Sequence, residues 1–359
     1  MWNDFIGNGE AVARLRALAA RGGGGCTLVL AGPEGIGKTT LAAMLGLALN
    51  CQAPPAPGDF CGGCRSCAQA LPLEQLGDAI AAALAHRDAE VKGNARETAP
   101  LRVALHPAVY LYPPDGDFLT MAQARAVIRQ TQLQPDAGQT WTLILPDLDL
   151  ARWTTQSALL KTLEEPPPRT TLVALARNPL GLLPTVRSRA LGVALQPAQP
   201  AELAAGLRRR QPALSAQDAD LLARLAAGCP GRALRLDVNA YRQLRSEALR
   251  LLAEGRAGGP AASVFRLSES TRTSKEKFES LLEILYSVLQ DIVYLHSGLP
   301  ESVRNRDVLP ELQQEARRWT APGLAAAVAG LDELQAAARR NAFRPLGLAS
   351  WALQLGVRA

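Results

Sequence analysis

The chain has 359 residues, a length that suits two or three domains. Hydrophobic residues make up 48% and charged residues 20%, so sizeable cores can form and wholesale disorder is excluded. The net charge of +6, carried by 34 arginines and only 5 lysines, is a mild hint of anionic partners, while 4% aromatics disfavours a stacking platform for single strands.

No run approaches the roughly 18 uninterrupted apolar residues of a membrane-spanning helix. The opening Met1-Trp2-Asn3-Asp4-Phe5 lacks the basic-then-apolar pattern of a signal peptide, so a cytoplasmic location without membrane contact is expected. The first apolar run, Cys26–Ala31, reads as a buried strand. Directly after it stands Gly32-Pro33-Glu34-Gly35-Ile36-Gly37-Lys38-Thr39, a complete G-x-x-x-x-G-K-T phosphate loop that opens a helix over Lys38–Leu49. The glycines let backbone N–H groups turn toward phosphates, and the helix start adds about half a positive charge. Lys38 is expected to reach the β- and γ-phosphates, Thr39 to hold Mg²⁺, and Thr40 to border the same site. The pattern points to bound ATP or ADP and is silent on hydrolysis.

Six cysteines in a chain without secretory features read as metal ligands or core thiols rather than disulfides. Cys51, Cys61, Cys64 and Cys67 fall within 17 residues, with Gly62 and Gly63 permitting a tight knuckle. Four thiolates make a closed tetrahedral set, the donor set of structural zinc. An iron–sulfur cluster is the rival, but its usual run places the fourth cysteine, followed by proline, after the triplet. Here the fourth lies upstream. Cys26 and Cys229 read as packing residues, and His86 and His106 as solvated or capping side chains. Leu71–Ala104, alanine-rich with mixed charges, reads as an insertion.

Further strands are expected at Ala108–Tyr112, Trp141–Leu145, Thr171–Ala176 and Leu191–Leu195. Helices fall between them at Thr120–Leu133, opened by a Thr120…Gln123 capping box, and at Thr154–Glu165. This alternation implies a five-stranded parallel sheet covered on both faces, an α/β nucleotide-binding architecture. Hydrolysis would need an Asp–Glu pair at the end of another strand. After Trp141–Leu145 the chain instead reads Pro146-Asp147-Leu148-Asp149. Proline offers no oxygen, and Asp147 is a methylene shorter than Glu. Asp149 would share a side with Asp147 if the segment were extended; both aspartates capping a loop is an equally good reading. Beyond residue 197 the pattern turns helical: Ser215…Asp218 is a capping box, Gly255–Ala262 looks like a hinge or loop, and Phe278 through Leu295 forms a period-3.6 stripe. Pro310–Trp319, Gly323–Arg340 and Leu346–Leu355 repeat the helical pattern.

The phosphate loop, the four-cysteine knuckle just after it, Ala158-Leu159-Leu160-Lys161-Thr162-Leu163-Glu164-Glu165-Pro166-Pro167 and Ser188-Arg189, in this order, resemble the delta-prime subunits of the bacterial DNA polymerase III clamp loader. That family belongs to the AAA+ superfamily. The likeness is specific over residues 1–195, fair through Gly228–Leu234, and weak near the end, where Asn341…Pro345-Leu346 still match. It implies an AAA+ domain over 1–196 with a zinc knuckle at 51–67 and an insertion at about 71–104. A helical lid over 197–245 and an all-α collar over 246–359 follow. It also implies a hetero-pentamer with delta and gamma/tau subunits, which loads the beta sliding clamp on primed DNA. The resemblance makes Arg189 an arginine finger for a neighbouring motor subunit, and Asp147 the remnant of a degenerate acidic motif.

Two departures separate the chain from motor subunits: Pro146-Asp147 stands where they carry Asp-Glu, and Gly231 stands where they carry the lid arginine, with Arg232 one place late. The intact Lys38-Thr39 also departs from delta-prime members whose loop has decayed. The expected role is a nucleotide-binding scaffold with little hydrolysis of its own. The alternatives are an autonomous gamma/tau-like ATPase using Asp147 and Asp149, and a nucleic-acid-binding module built on the knuckle and the arginine surplus.

Overall fold

The computed structural model describes residues 1–91, 98–258, 261–269, 274–340 and 343–358. The strands are β1 (Cys26–Ala31), β2 (Val103–His106), β3 (Val109–Leu111), β4 (Trp141–Leu145), β5 (Thr170–Ala176) and β6 (Leu191–Ala194). Apolar runs with no polar alternate positions leave a strand no solvent face, and every residue of β4 and β5 is buried. The sheet order is β2-β3-β4-β5-β1-β6, with β3, β4, β5, β1 and β6 mutually parallel.

Period-two alternation sends neighbouring side chains into two different cores. Leu28 and Leu30 of β1 join one with helices Gly9–Ala20, Lys38–Asn50 and Leu76–Glu90. Val29 joins the other with helices Met121–Gln132, Trp153–Glu164 and Pro184–Arg189. The Thr120 capping box forms as expected: Gln123 N–H donates to Thr120 Oγ1 at 3.3 Å, and Thr120 N–H donates to Gln123 Oε1 at 3.0 Å.

The sheet has six strands rather than five. The extra one, β2, pairs antiparallel with β3 through Val103↔Leu111 and His106↔Val109, with a bulge between Ala104 and His106. It is a four-residue edge strand at the end of an alanine-rich stretch, so its periodicity is too short to stand out. The described residues of the stretch before it pack into the domain, while 92–97 lie outside the described residues. Leu76–Glu90 is a helix whose Leu76 enters the first core, and Arg87 Nε donates to Asp115 Oδ2 at 2.9 Å with both side chains buried.

The chain divides into two compact units: Met1–Gly206 with Ala227–Arg232, and Leu207–Ala226 with Ala233–Ala359. The second unit is helical: Ala216–Leu225, Val238–Arg256, Ala261–Glu269, Lys275–His296, Leu309–Ala316, Ala321–Arg339 and Arg344–Arg358. Ser215 caps the first of these by accepting Asp218 N–H at 3.0 Å. The expected hinge at Gly255–Ala262 is narrower than its composition suggests: Gly255 is a buried helical residue and Ala261 already opens the next helix. Residues 259 and 260, like Asn341 of the collar motif, lie outside the described residues. No helix among the described residues is long and apolar enough to cross a membrane.

A polar knot crosses this second core. Arg245 meets Asp307 bidentately at 2.7 and 2.6 Å, and Asn305 Oδ1 accepts from Arg245 and from Tyr241. Asn305 Nδ2 donates to the buried Asp291 at 2.7 Å. Burial raises the Asp307 pKa, but its bond to Arg245 prevails and holds the carboxyl below its ordinary value. The pair therefore stabilises fully above the usual Asp range and loses that contribution only as pH falls below about 3.9. Asp307→Ala strands a buried guanidinium and is expected to cost about 3–5 kcal/mol. Urea unfolding measures it; a loss under about 1 kcal/mol would show the knot to be solvated.

Candidate functional site

The phosphate loop leaves β1 at its carboxyl end, where a residue with a Cβ could not follow. Gly32 has φ +157°, and a Cβ there would stand 2.8 Å from Leu195 O; Gly37 has φ +101°, with Phe5 Cε2 2.8 Å from the same position. Gly37 caps the helix that Lys38, Thr39 and Thr40 begin, while Pro33 and Glu34 are exposed at the tip and Ile36 is fully buried beneath it. Gly35 O accepts Gly231 N–H at 2.7 Å, tying Ala227–Arg232 to the loop. Lys38 Nζ donates to Gly32 O at 2.6 Å and Pro33 O at 3.0 Å. Burial pulls the ammonium's pKa down, Asp147 pushes it back up and Arg177 lowers it again. A loop of turned amides over a buried lysine suits a polyphosphate.

The carboxyl ends of β4 and β5 supply the rest. Pro146-Asp147 turns sharply, with Asp147 in the left-handed region at φ +48°, and Leu148–Leu150 is a single 3-10 turn. The segment is therefore not extended, and Asp149 goes to a different task. Its Oδ2 accepts the N–H groups of Arg177 and Asn178 at 3.0 and 2.9 Å, capping the exit of β5.

Arg177, absent from the sequence reading, reaches across both loops. Its Nε donates to Asp147 Oδ1 at 3.2 Å, and Nη1 lies 3.0 Å from Glu34 Oε2. The Asp147 bond, ahead of the other influences, raises the guanidinium's pKa further. Partly exposed pairs such as these contribute about 0–1 kcal/mol each, so their weight is in placing charge rather than in stability. A charged residue directly after a seven-residue buried strand was the available signal, because such a residue must emerge at the binding edge.

The four cysteines come together. Their Sγ atoms lie within 4.8 Å of one another, near the spacing of about 3.8 Å set by tetrahedral metal–sulfur bonds of about 2.3 Å. Backbone N–H groups of Cys61, Cys64 and Cys67 point at Cys51, Cys61 and Cys64 sulfurs at 3.3, 3.2 and 3.4 Å. The Cys67 amide draws the Cys64 thiol down to about 6, while burial drives Cys67 up to about 12. This donor set can hold a metal, which would take all four as thiolates.

The knuckle is anchored on both sides. Trp2 Nε1 donates to Gly58 O at 2.9 Å and packs edge-on against Phe60. His106, expected to be solvated or capping, is buried: Ala108 N–H donates to its Nδ1, so the neutral ring carries its proton on Nε2 toward Ser66 Oγ at 2.9 Å. Burial lowers its pKa. His86 is exposed beside Glu90. Cys26 and Cys229 take no part in the cluster.

The family model described as DNA polymerase III, delta subunit matches residues 7–199, more than half of the chain. The chain belongs to this family. Among curated relatives, the DNA polymerase III subunit delta' of Escherichia coli is 29% identical over 320 residues, spanning 88% of this chain and 84% of the relative. That of Pseudomonas aeruginosa is 29% identical over 238 residues, spanning 65% of this chain and 63% of the relative. A solved gamma subunit-related protein of Thermotoga maritima aligns over 96% of the chain at 15% identity, with a TM-score of 0.44, too loose a likeness to argue from.

In this delta-prime family member, Arg189 stands on the short helix Pro184–Arg189 and pairs with Glu164 Oε2 at 3.1 Å. It lies two residues before β6, whose register with β1 runs from Leu28↔Leu191 to Ala31↔Ala194. The phosphate loop follows Ala31. Arg189 therefore sits at the amino edge of the sheet, separated from the loop by four residues of strand, about 13 Å. The structure brings Asp147 to Gly32–Thr40 and sets Arg189 at the opposite edge.

The knuckle generates a direct test. The purified chain is expected to carry one equivalent of tetrathiolate-bound metal by elemental analysis, and Cys64→Ser to lose it. A metal-free wild type that folds normally would refute the assignment.

Proposed function

We propose that this chain is a scaffold subunit of the replicative DNA polymerase III clamp loader, binding ATP or ADP at Gly32–Thr40 with little hydrolysis of its own. In this reading it assembles with delta and gamma/tau subunits as a hetero-pentamer in the cytoplasm. Through that assembly it serves the ATP-dependent loading of the beta sliding clamp on primed DNA. Residues 1–196 form the nucleotide-binding domain, 197–245 a lid and 246–359 the collar through which subunits associate. The knuckle holds zinc structurally, since four thiolates leave no open position for chemistry.

The observation that carries this reading is the state of the carboxylates. The loop that would bind a triphosphate is complete, yet Pro146 supplies no side-chain oxygen and Asp147 Oδ1 is bonded to the Arg177 guanidinium. Lys38 and the loop amides bind and orient phosphate, and Thr39 is the residue that would hold any Mg²⁺ arriving with the nucleotide. Asp147 is engaged by the Arg177 side chain and Asp149 by the Arg177 and Asn178 amides. Arg189, at the far edge of the sheet, cannot reach the chain's own phosphates, which supports a role on a neighbour's nucleotide instead.

Arg189→Ala in the reconstituted loader tests this reading. Hydrolysis at the adjacent motor site should fall by about 10³–10⁵-fold, the usual contribution of an arginine finger. An undiminished rate would remove Arg189 from the mechanism. Robust ATPase activity of the isolated chain, abolished by Asp147→Asn, would instead make it a motor.

A further inference from the structure

Three loops converge at the carboxyl edge, and their charged side chains form one connected group. Asp149 fixes the backbone at Arg177 and Asn178 by accepting both N–H groups. From that fixed point the Arg177 guanidinium spans Asp147 Oδ1 at 3.2 Å and Glu34 Oε2 at 3.0 Å. It thus joins a phosphate-loop residue to the acidic motif, the two elements that a divalent cation ordinarily links through the nucleotide. Deepening the nucleotide-binding reading above, we propose that Arg177 is the resident cation of this site. Bridging Asp147 and Glu34 beside the phosphate loop, it supplies the positive charge a metal would bring and lets the chain bind a nucleoside di- or triphosphate without Mg²⁺.

Several features support the substitution. A guanidinium is always charged and offers five donors in a rigid fork. Here Nε and Nη1 serve the two carboxylates, which leaves the Nη2 edge to meet phosphate oxygens bidentately. A Mg²⁺ beside Asp147 would confront a positive charge already bonded to that carboxylate, and Pro146 leaves the place of the metal-holding aspartate without a side-chain oxygen. Lys38 belongs to the same group: Arg177 lowers its pKa and Asp147 raises it, so both cations lie within electrostatic range of one carboxylate. Glu34, otherwise an exposed tip residue, thereby places its carboxylate against the guanidinium at the β5 exit. The arrangement also explains binding without cutting, because the carboxylate nearest the nucleotide is spent on an arginine.

Calorimetric titration of the full chain with ATP tests the proposal, comparing buffer containing excess Mg²⁺ with buffer freed of it by chelating resin, which leaves the knuckle's metal in place. The two dissociation constants should agree within about threefold, and Arg177→Ala should bind more weakly and depend on Mg²⁺ by about tenfold or more. Arg177→Lys, a point charge without the fork, should fall between them. A wild type that loses about tenfold or more without Mg²⁺, yet binds with it, overturns the role of Arg177 and leaves the nucleotide reading standing. An Arg177→Ala chain indistinguishable from wild type in both buffers does the same. No binding in either buffer overturns the nucleotide reading and this proposal together.

Discussion

A strand buried on both faces has no place for chemistry along its length. In β4 and β5 every side chain is inside, and β1 is buried at all but its two ends. Polar function is thereby confined to the two edges of the sheet, where strands enter and leave. The carboxyl edge gathers the phosphate loop, Asp147 and Arg177. The amino edge carries Arg189, held by Glu164. One sheet thus sets the phosphate-loop group and Arg189 at opposite ends of its strands.

At the carboxyl edge, charge placement decides what the loop can do. In the proposed reading, turned glycines and a buried lysine hold phosphate, while cleavage would need a carboxylate aimed at a water. The sharp left-handed turn at Asp147 and its bond to Arg177 spend that carboxylate on a guanidinium. The cysteine knuckle belongs to the scaffold on which this edge is built. Trp2 grips it from the amino terminus and His106 from the sheet's outer strand, so it is bound into the same core that supports the phosphate-loop helix.

Much of this was legible in the residues. Uninterrupted apolar runs marked β1 and β4 to the residue, because double-sided burial leaves no ambiguity of period. The phosphate loop and the four cysteines carry spacings that few other structures require. What stayed hidden depends on approach through space. β2 is too short for alternation to show, and the Leu76–Glu90 helix was masked by alanine, which fits nearly any environment. The Gly255 stretch reads as a loop by composition, yet Gly255 is still a buried helical residue and Ala261 already opens the next helix. Arg177 was the most consequential omission: 30 residues separate it from Asp147, and no local pattern links them. For Asp149 the sequence left catalysis and loop capping open; the segment curls into a 3-10 turn, and Asp149 caps the β5 exit.

The central claim is that this chain holds a triphosphate without breaking it. A single-turnover experiment addresses it most directly: the isolated chain, in excess over γ-labelled ATP, is quenched in acid after prolonged incubation and the label is resolved. The account predicts that bound label is recovered as intact ATP, with phosphate release no faster than in protein-free buffer. Stoichiometric release of labelled phosphate on the timescale of ordinary motor subunits would contradict it.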